Sequence, residues 1–307
     1  MIRLCNWVGE VVLSLPALER LAAAGVPLQL FGKVWAPSLL EATGWQVDVH
    51  ADRLGAAIGQ LRPFRGNRSV LMVNSFRSAL EMRMAGLSAT GFAKEGRSPL
   101  LGQPVQREGF AHAAHAYWKL AQACLGTHEP FPEAVQWQPS ERQKSVASQL
   151  LAAQGLTPGR YVVLCPFSGA DDQGGKKRWS GYPELCRRLL RAGIGVLVGT
   201  GSPSEAALVE SVAPGAITFS ASGLGLGVHG ALMQSALCVV ANETGPGHLA
   251  GFAGARLLSI YGPLGHRDWK PLGPHVSMMW PNGGWPSVDL LFDNICEPGS
   301  QGSDLHS

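Results

Sequence analysis

The feature that most constrains the fold is an alternation that runs the length of the chain, in which short apolar runs rich in valine, isoleucine and leucine are separated by longer stretches of helical period. In the first half the runs are MIRLC, PLQLFG, WQVDVH, SVLMVN and ATGFA. In the second they are YVVLC, GVLVGT, AITFS, LCVVAN and RLLSIYG. Helices are expected between them at 9–24, 37–42, 54–61, 76–86 and 112–126, and again at 180–192, 203–212, 228–236 and 246–253. Strands that alternate with helices must run parallel and be covered on both faces, so the fold class is α/β. Pro16, inside the first helical stretch, should kink or split it.

Between the halves, GTHEPFPEAVQWQPSERQK is rich in proline and polar residues and reads as a linker. Two similar α/β units joined near residues 127–140 are therefore expected, residues 1–135 and 136–307. Ligands of open parallel sheets collect beyond the carboxyl ends of the strands, which makes the cleft between the two domains the expected site. The tail EPGSQGSDLHS is expected to be disordered.

Charge narrows the partners. A formal net charge of +3 on 307 residues gives little support for nucleic acid. Between positions 60 and 107, however, Arg62, Arg65, Arg68, Arg77, Arg83, Lys94, Arg97 and Arg107 face only Glu81 and Glu95. That stretch is either a solvated face or a surface for an anionic substrate or membrane. The six cysteines show neither a CxxC nor a Cys/His ligand spacing, so a reducing cytoplasm without disulfides or zinc is expected. Glu10 and Glu19 flank the early apolar run, which argues against a secretory signal, and no stretch approaches the roughly 20 apolar residues of a membrane span.

Three segments could carry chemistry. In CNWVGEVVLSLPALERL a strand ends, a glycine turn follows, and Glu10 stands in a first helical turn, as a dipole partner or as a proton acceptor. In CPFSGADDQGGKKRWSG the strand leads to a loop with Ser168, glycines and Lys176, Lys177 and Arg178, suited to a phosphate or simply to solvent. Asp171 and Asp172 lack a third ligand in register and make a poor magnesium site. In LCVVANETGPGHLAG a buried strand meets a helix that Thr244 or Glu243 can cap, with Pro246 in its first turn. Gly245 leaves amides uncovered there, and a bare helix N-terminus binds phosphate. Glu243 then caps amides or holds sugar hydroxyls, and His248 either donates to phosphate or is packed. GTGSPSE and GLGLGVHG fall short of GxGxxG, and no P-loop is present.

Taken in order, NWVGEVVLSLPAL, VNSFRSALEMRMAGLSATGF, KRWSGYPELCRRLL and NETGPGHLAGFAGARLLSIYGPLGHRDWKPLGP resemble glycosyltransferase family 9, the bacterial heptosyltransferases of lipopolysaccharide core synthesis, most clearly the heptosyltransferase II branch. The resemblance spans most of residues 4–275. It implies a GT-B fold, two Rossmann-like α/β/α domains facing a central cleft, with the acceptor on the first domain and the donor on the second. It further implies transfer of heptose, without a metal or other cofactor, from ADP-heptose to a phosphorylated lipid-linked oligosaccharide at the cytoplasmic face of the inner membrane. Glu10 matches the family's general base and Lys177 the lysine facing the donor phosphates. Thr244, Gly245 and His248 match the donor-diphosphate loop, with Ser168, Glu243 and Gly247 beside them. Asn74, Arg77 and Arg97 are the acceptor-binding candidates, and the basic stretch becomes a landing surface for an anionic glycolipid.

The family usually has aspartate where this chain has Glu10 and Glu243. Its donor-sugar acid after GVLVGT has no clean match, Glu205 and Pro203 lying near the place. Little after Phe292 suggests the long helix that commonly returns to the first domain. The same motifs also fit a GT-B sugar-nucleotide epimerase or hydrolase, or a nucleotide-sugar-binding relative without turnover.

Overall fold

A computed structural model describes residues 1–107, 109, 112–167, 178–263, 267–281 and 284–297. The chain divides into two compact units, Met1–Val135 and Gln136–Ser307.

The first unit is built on a parallel sheet of order β3-β2-β1-β4-β5-β6. Its strands are β1 (Ile2–Arg3), β2 (Gln29–Gly32), β3 (Gln46–Val49), β4 (Arg68–Leu71), β5 (Ser88–Phe92) and β6 (Gln103–Val105). Ile2 of the central β1 pairs with Leu30 on one side and Val70 on the other. Helices α1 (Val8–Ala23), α2 (Ala36–Leu39), α3 (Leu54–Leu61), α4 (Phe76–Met84) and α5 (Ala113–Leu125) cover it.

The second unit repeats this plan. Strands β7 (Tyr161–Cys165), β8 (Gly195–Thr200), β9 (Ile217–Ser220), β10 (Cys238–Asn242), β11 (Leu257–Ile260) and β12 (Val276–Met279) form a parallel sheet of order β12-β11-β10-β7-β8-β9. Its helices are α6 (Glu141–Ala153), α7 (Tyr182–Arg191), α8 (Pro203–Val212), α9 (Ala221–Leu224), α10 (Leu226–Gln234), α11 (Gly245–Phe252) and α12 (Val288–Cys296). Every residue of β7, β10 and β11 is buried, as befits strands covered on both faces. The outer strands β3 and β9 keep exposed residues. Cys5, Cys165, Cys186 and Cys238 are buried free thiols that pack as small hydrophobes.

Counted within each unit, both sheets have the order 3-2-1-4-5-6. The strand order therefore reverses between β1 and β4, and again between β7 and β10. At such a point the two neighbouring connections leave in opposite directions and open a crevice at the carboxyl edge. These two crevices position everything that follows.

Three expectations need correction. Of the kink or split expected at Pro16, the split is absent: α1 continues from Val8 to Ala23 with ten of its sixteen residues buried. A missing hydrogen bond and a ring clash cost about 3 kcal/mol in a helix interior, and that much apolar burial outweighs them. The stretch taken as linker ends in structure, because Ser140 and Gln143 form a capping box that starts α6, and the Trp137 amide donates to the Phe252 carbonyl at 2.7 Å. Third, β6, β12 and α12 carry no run that marked them in the sequence. β6 is three residues with Pro104 at its centre, tolerated because the strand is at the sheet edge.

Candidate functional site

At the first reversal point, β1 runs into Leu4 and Cys5, both fully buried, and α1 starts at Val8 after Asn6 and Trp7. Trp7 caps α1 without a side-chain bond, and Glu10 sits in its first turn. The Tyr117 hydroxyl of α5 donates to Glu10 Oε1 at 3.2 Å. Burial pushes the Glu10 carboxyl above its usual range, against the opposing pull of the Tyr117 hydrogen bond and the Arg107 charge. Burial likewise raises Cys5 and Tyr117, so both are protonated at neutral pH. A carboxylate whose pKa is lifted towards neutrality is a stronger base than a solvated one.

The other wall of this crevice is the turn after β4. Ser75 caps α4 by accepting from the Ser78 amide at 3.2 Å. Arg97 is fully buried and stitches the turn together. Its Nε donates to the Phe92 carbonyl at 2.8 Å, Nη1 to the carbonyls of Val73 and Ser75, and Nη2 to Asn74 Oδ1 at 3.4 Å. Desolvation lowers this guanidinium to about 10. The structure thus brings Asn74 and Arg97 together, but a direct contact between Arg97 and an acceptor would require these bonds to break. Arg97 shapes the turn that presents Asn74.

Arg77 lies apart from that pair. It donates to Glu81 Oε1 at 2.9 Å and to the Asp52 carbonyl. Glu81 is buried beside His50, with Nε2 and Oε2 3.3 Å apart. That contact is not aligned as a hydrogen bond, and burial with the charges of Arg3, Lys33 and Arg77 holds His50 down to about 4. The imidazole is neutral beside the carboxylate.

At the second reversal point, the loop after β7 includes Ser168 and Lys177, which lie outside the described residues. The turn after β10 is described. The Tyr182 hydroxyl donates to Asn242 Oδ1 at 2.9 Å and reaches the Cys165 carbonyl at 3.4 Å, tying the ends of β10 and β7 together. Of the two possible caps, Thr244 is the one used, its Oγ1 accepting from the Gly247 amide at 3.4 Å, with Pro246 in the first turn. The His248 amide donates to the Thr244 carbonyl at 3.3 Å. With the Gly247 and His248 amides engaged and Pro246 lacking one, the uncovered set expected from sequence narrows to the turn itself, Thr244 and Gly245. The Thr244 hydroxyl keeps its own proton to donate. Thr244 and His248 are buried, and Glu243, half-buried, adds its charge to what raises Tyr261. Glu205 turns back on its own helix start, accepting from the Gly201 amide at 2.7 Å.

Tyr117 and Tyr182 carried no signal in the sequence. Each is a helical aromatic whose partner lies 107 or 60 residues away, and only the fold joins them. Among the described residues, no three histidine, cysteine, aspartate or glutamate side chains gather as a metal site would, and no helix is long and apolar enough to cross a membrane.

Comparison with known proteins adds the rest. Residues 58–289 match the sequence model of glycosyltransferase family 9 (heptosyltransferase). Lipopolysaccharide heptosyltransferase 2 of Escherichia coli K12 is 27% identical over 296 residues, covering 87% of this chain and 83% of its own. Three solved structures share the fold. The E. coli ADP-heptose lipopolysaccharide heptosyltransferase II has TM-score 0.71 and 24% identity over 90% of this chain and 89% of that one. A family 9 glycosyltransferase from Veillonella parvula has TM-score 0.76 and 16% identity, over 97% and 89%. The E. coli heptosyltransferase WaaC with ADP has TM-score 0.74 and 19% identity, over 97% and 99%. The architecture is GT-B, with two Rossmann-like α/β units.

Proposed function

We propose that this chain, which belongs to glycosyltransferase family 9, transfers a heptose or related sugar from an ADP-linked donor to an anionic, lipid-linked core oligosaccharide by metal-independent direct displacement. The observation that carries the reading is the coincidence of chemistry with topology. Glu10 and Asn74 flank the reversal point of one sheet, and Thr244 to His248 border that of the other.

In this reading Glu10 takes the proton from an acceptor hydroxyl as that oxygen bonds to the anomeric carbon. The bond from that carbon to the diphosphate oxygen breaks, and the ADP leaves with the electron pair. Charge grows on the departing diphosphate, where Lys177, the turn at Thr244 and Gly245, and His248 supply donors. Ser168 and Gly247 border the same phosphates, and Glu243 holds hydroxyls of the sugar or ribose. The donor assignment is supported by two E. coli relatives, one named for ADP-heptose and one solved with ADP-2-deoxy-2-fluoro heptose, and the acceptor by the relative named for lipopolysaccharide.

The first unit suits a lipid-linked acceptor. Trp7, Val34 and Phe76 are 55%, 77% and 48% exposed on segments that follow β1, β2 and β4, and Lys33 and Arg77 adjoin them in sequence. Apolar and basic side chains on one edge fit an anionic membrane surface, and this supports reading the enzyme as working at the cytoplasmic face of the inner membrane.

Calorimetry against a panel of sugar nucleotides tests the donor. ADP and ADP-heptose are expected to bind, without a requirement for divalent cation, and uridine and thymidine diphosphate sugars to bind far more weakly. Free or isomerised sugar formed from ADP-heptose alone would favour an epimerase or hydrolase instead, and binding without turnover on any acceptor a non-catalytic relative.

A further inference from the structure

Glu10 has three rotatable side-chain bonds and stands partly buried in the first turn of α1, where one of its carboxylate oxygens is held from a distant element. Tyr117 on α5 is fully buried, its ring edge-on to Phe92 with centroids 6.2 Å apart, and this packing fixes where its hydroxyl oxygen sits. That hydroxyl donates to Glu10 Oε1 at 3.2 Å. The groups facing Glu10 come from three segments. From the end of β1 comes the Cys5 thiol, which reaches the Met72 carbonyl at 3.5 Å and neighbours the Tyr117 hydroxyl. From the segment after β6 comes Arg107, whose guanidinium lies 5.4 Å from the centre of the Phe92 ring. From α5 comes Tyr117.

We propose that Tyr117 is the positioning residue for Glu10, fixing Oε1 so that Oε2 is left to take the acceptor proton. The proposal rests on the reading of Glu10 as the base. It deepens that reading by naming the group that sets the direction and the ionisation of the carboxylate. A phenol donates only while protonated, and burial keeps Tyr117 protonated well above neutral pH. At 3.2 Å the bond is long for an O–H···O pair, yet its donor favours the charged carboxylate and so opposes the burial that drives Glu10 towards its neutral form.

The test is Tyr117→Phe, which keeps the ring against Phe92 and removes only the hydroxyl. ADP release is followed with ADP-heptose and lipopolysaccharide truncated in its heptose region. The expected result is a fall in kcat of about tenfold at neutral pH with an unchanged KM for ADP-heptose. The acid limb of the kcat profile should move to higher pH, because burial of Glu10 is then less opposed. Site-specific 3-fluorotyrosine at 117, a stronger donor of the same shape, should move that limb the other way, and it carries the test if Tyr117→Phe does not fold. In Glu10→Asp, whose carboxylate is drawn back from the phenol, Tyr117→Phe should cost little further. An unmoved acid limb in both Tyr117 variants, or the same loss from Tyr117→Phe in the Glu10→Asp background, overturns the positioning role. Full turnover in Glu10→Gln would overturn the base assignment itself, and the positioning role with it.

Discussion

In the first unit the reversal point between β1 and β4 gathers titratable side chains: Glu10, Tyr117 and Cys5 on one wall, and Arg97 behind Asn74 on the other. In the second unit, the turn beyond β10 offers a threonine cap, glycines, a proline and one buried histidine. The sheets have the same strand order, so topology alone places a crevice in each and cannot say what it does. Side chains that exchange protons suit an acceptor hydroxyl, whereas a capped helix start suits an anion that is bound and released. The reaction proposed here needs one of each.

The sharpest way to break this division is Glu10→Gln. If the first unit handles the proton and the second the nucleotide, kcat should fall about a thousandfold, roughly 4 kcal/mol, while calorimetry finds ADP affinity unchanged. Equal losses in both would show that Glu10 serves the nucleotide and would dissolve the contrast. A second variant concerns stability. Arg97→Met leaves the Val73 carbonyl without its guanidinium donor, takes one of two donors from the Phe92 carbonyl, and should destabilise the first unit by about 3 kcal/mol. Hydrogen exchange should then quicken in β4 and β5, and leave β7 and β10 as they were.

How much of this was legible in the sequence depends on the range of the interaction. β7 and β8 coincide with the runs YVVLC and GVLVGT, and α8 with 203–212, because local apolar periodicity declares a buried element. The Thr244 cap was legible for the same reason, its hydroxyl binding an amide three residues on. Arg97 was not. A lone arginine in a basic stretch reads as surface, and only the approach of β5 to the β4 turn turns its guanidinium inward. The short edge strands β6 and β12 were invisible too, since their place is set by pairing with β5 and β11.

The two units also differ in their buried histidines. His229 on α10 is enclosed by Phe219 and the backbone at Gly199, with neither ring nitrogen hydrogen-bonded, and burial lowers it from 6.5 to about 4. His50 reaches the same value among charges. In both, the folded state refuses a proton that the unfolded chain accepts. Their contribution is therefore complete above pH 6.5 and is lost as pH falls towards 4. His229→Leu should remove this acid lability, adding about 2 kcal/mol of stability at pH 5 relative to the parent, with little change of that origin at pH 8. His50→Leu should give less, because it leaves Glu81 beside a leucine. Urea midpoints measured from pH 8 to pH 5 check both. A pH-independent difference between His229→Leu and parent would contradict the neutral, buried state of the ring.

The smallest effect tests the comparison most directly, because it is made at equivalent positions. Ser75 caps the helix that follows the fourth strand of the first unit, and Thr244 caps the helix that follows the fourth strand of the second. Each accepts from the amide three residues on, at 3.2 and 3.4 Å. Removing either hydroxyl leaves one helix-start amide without its acceptor, so Ser75→Ala and Thr244→Ala should each cost about 1 kcal/mol of stability. Their effects on ligands should part. Thr244→Ala also deletes a donor proposed for the leaving diphosphate and should weaken ADP binding about tenfold. Ser75→Ala should leave ADP affinity alone. If both variants bound ADP like the parent chain, the cap after β10 would be structural only, and the nucleotide would have to be held by the loop after β7.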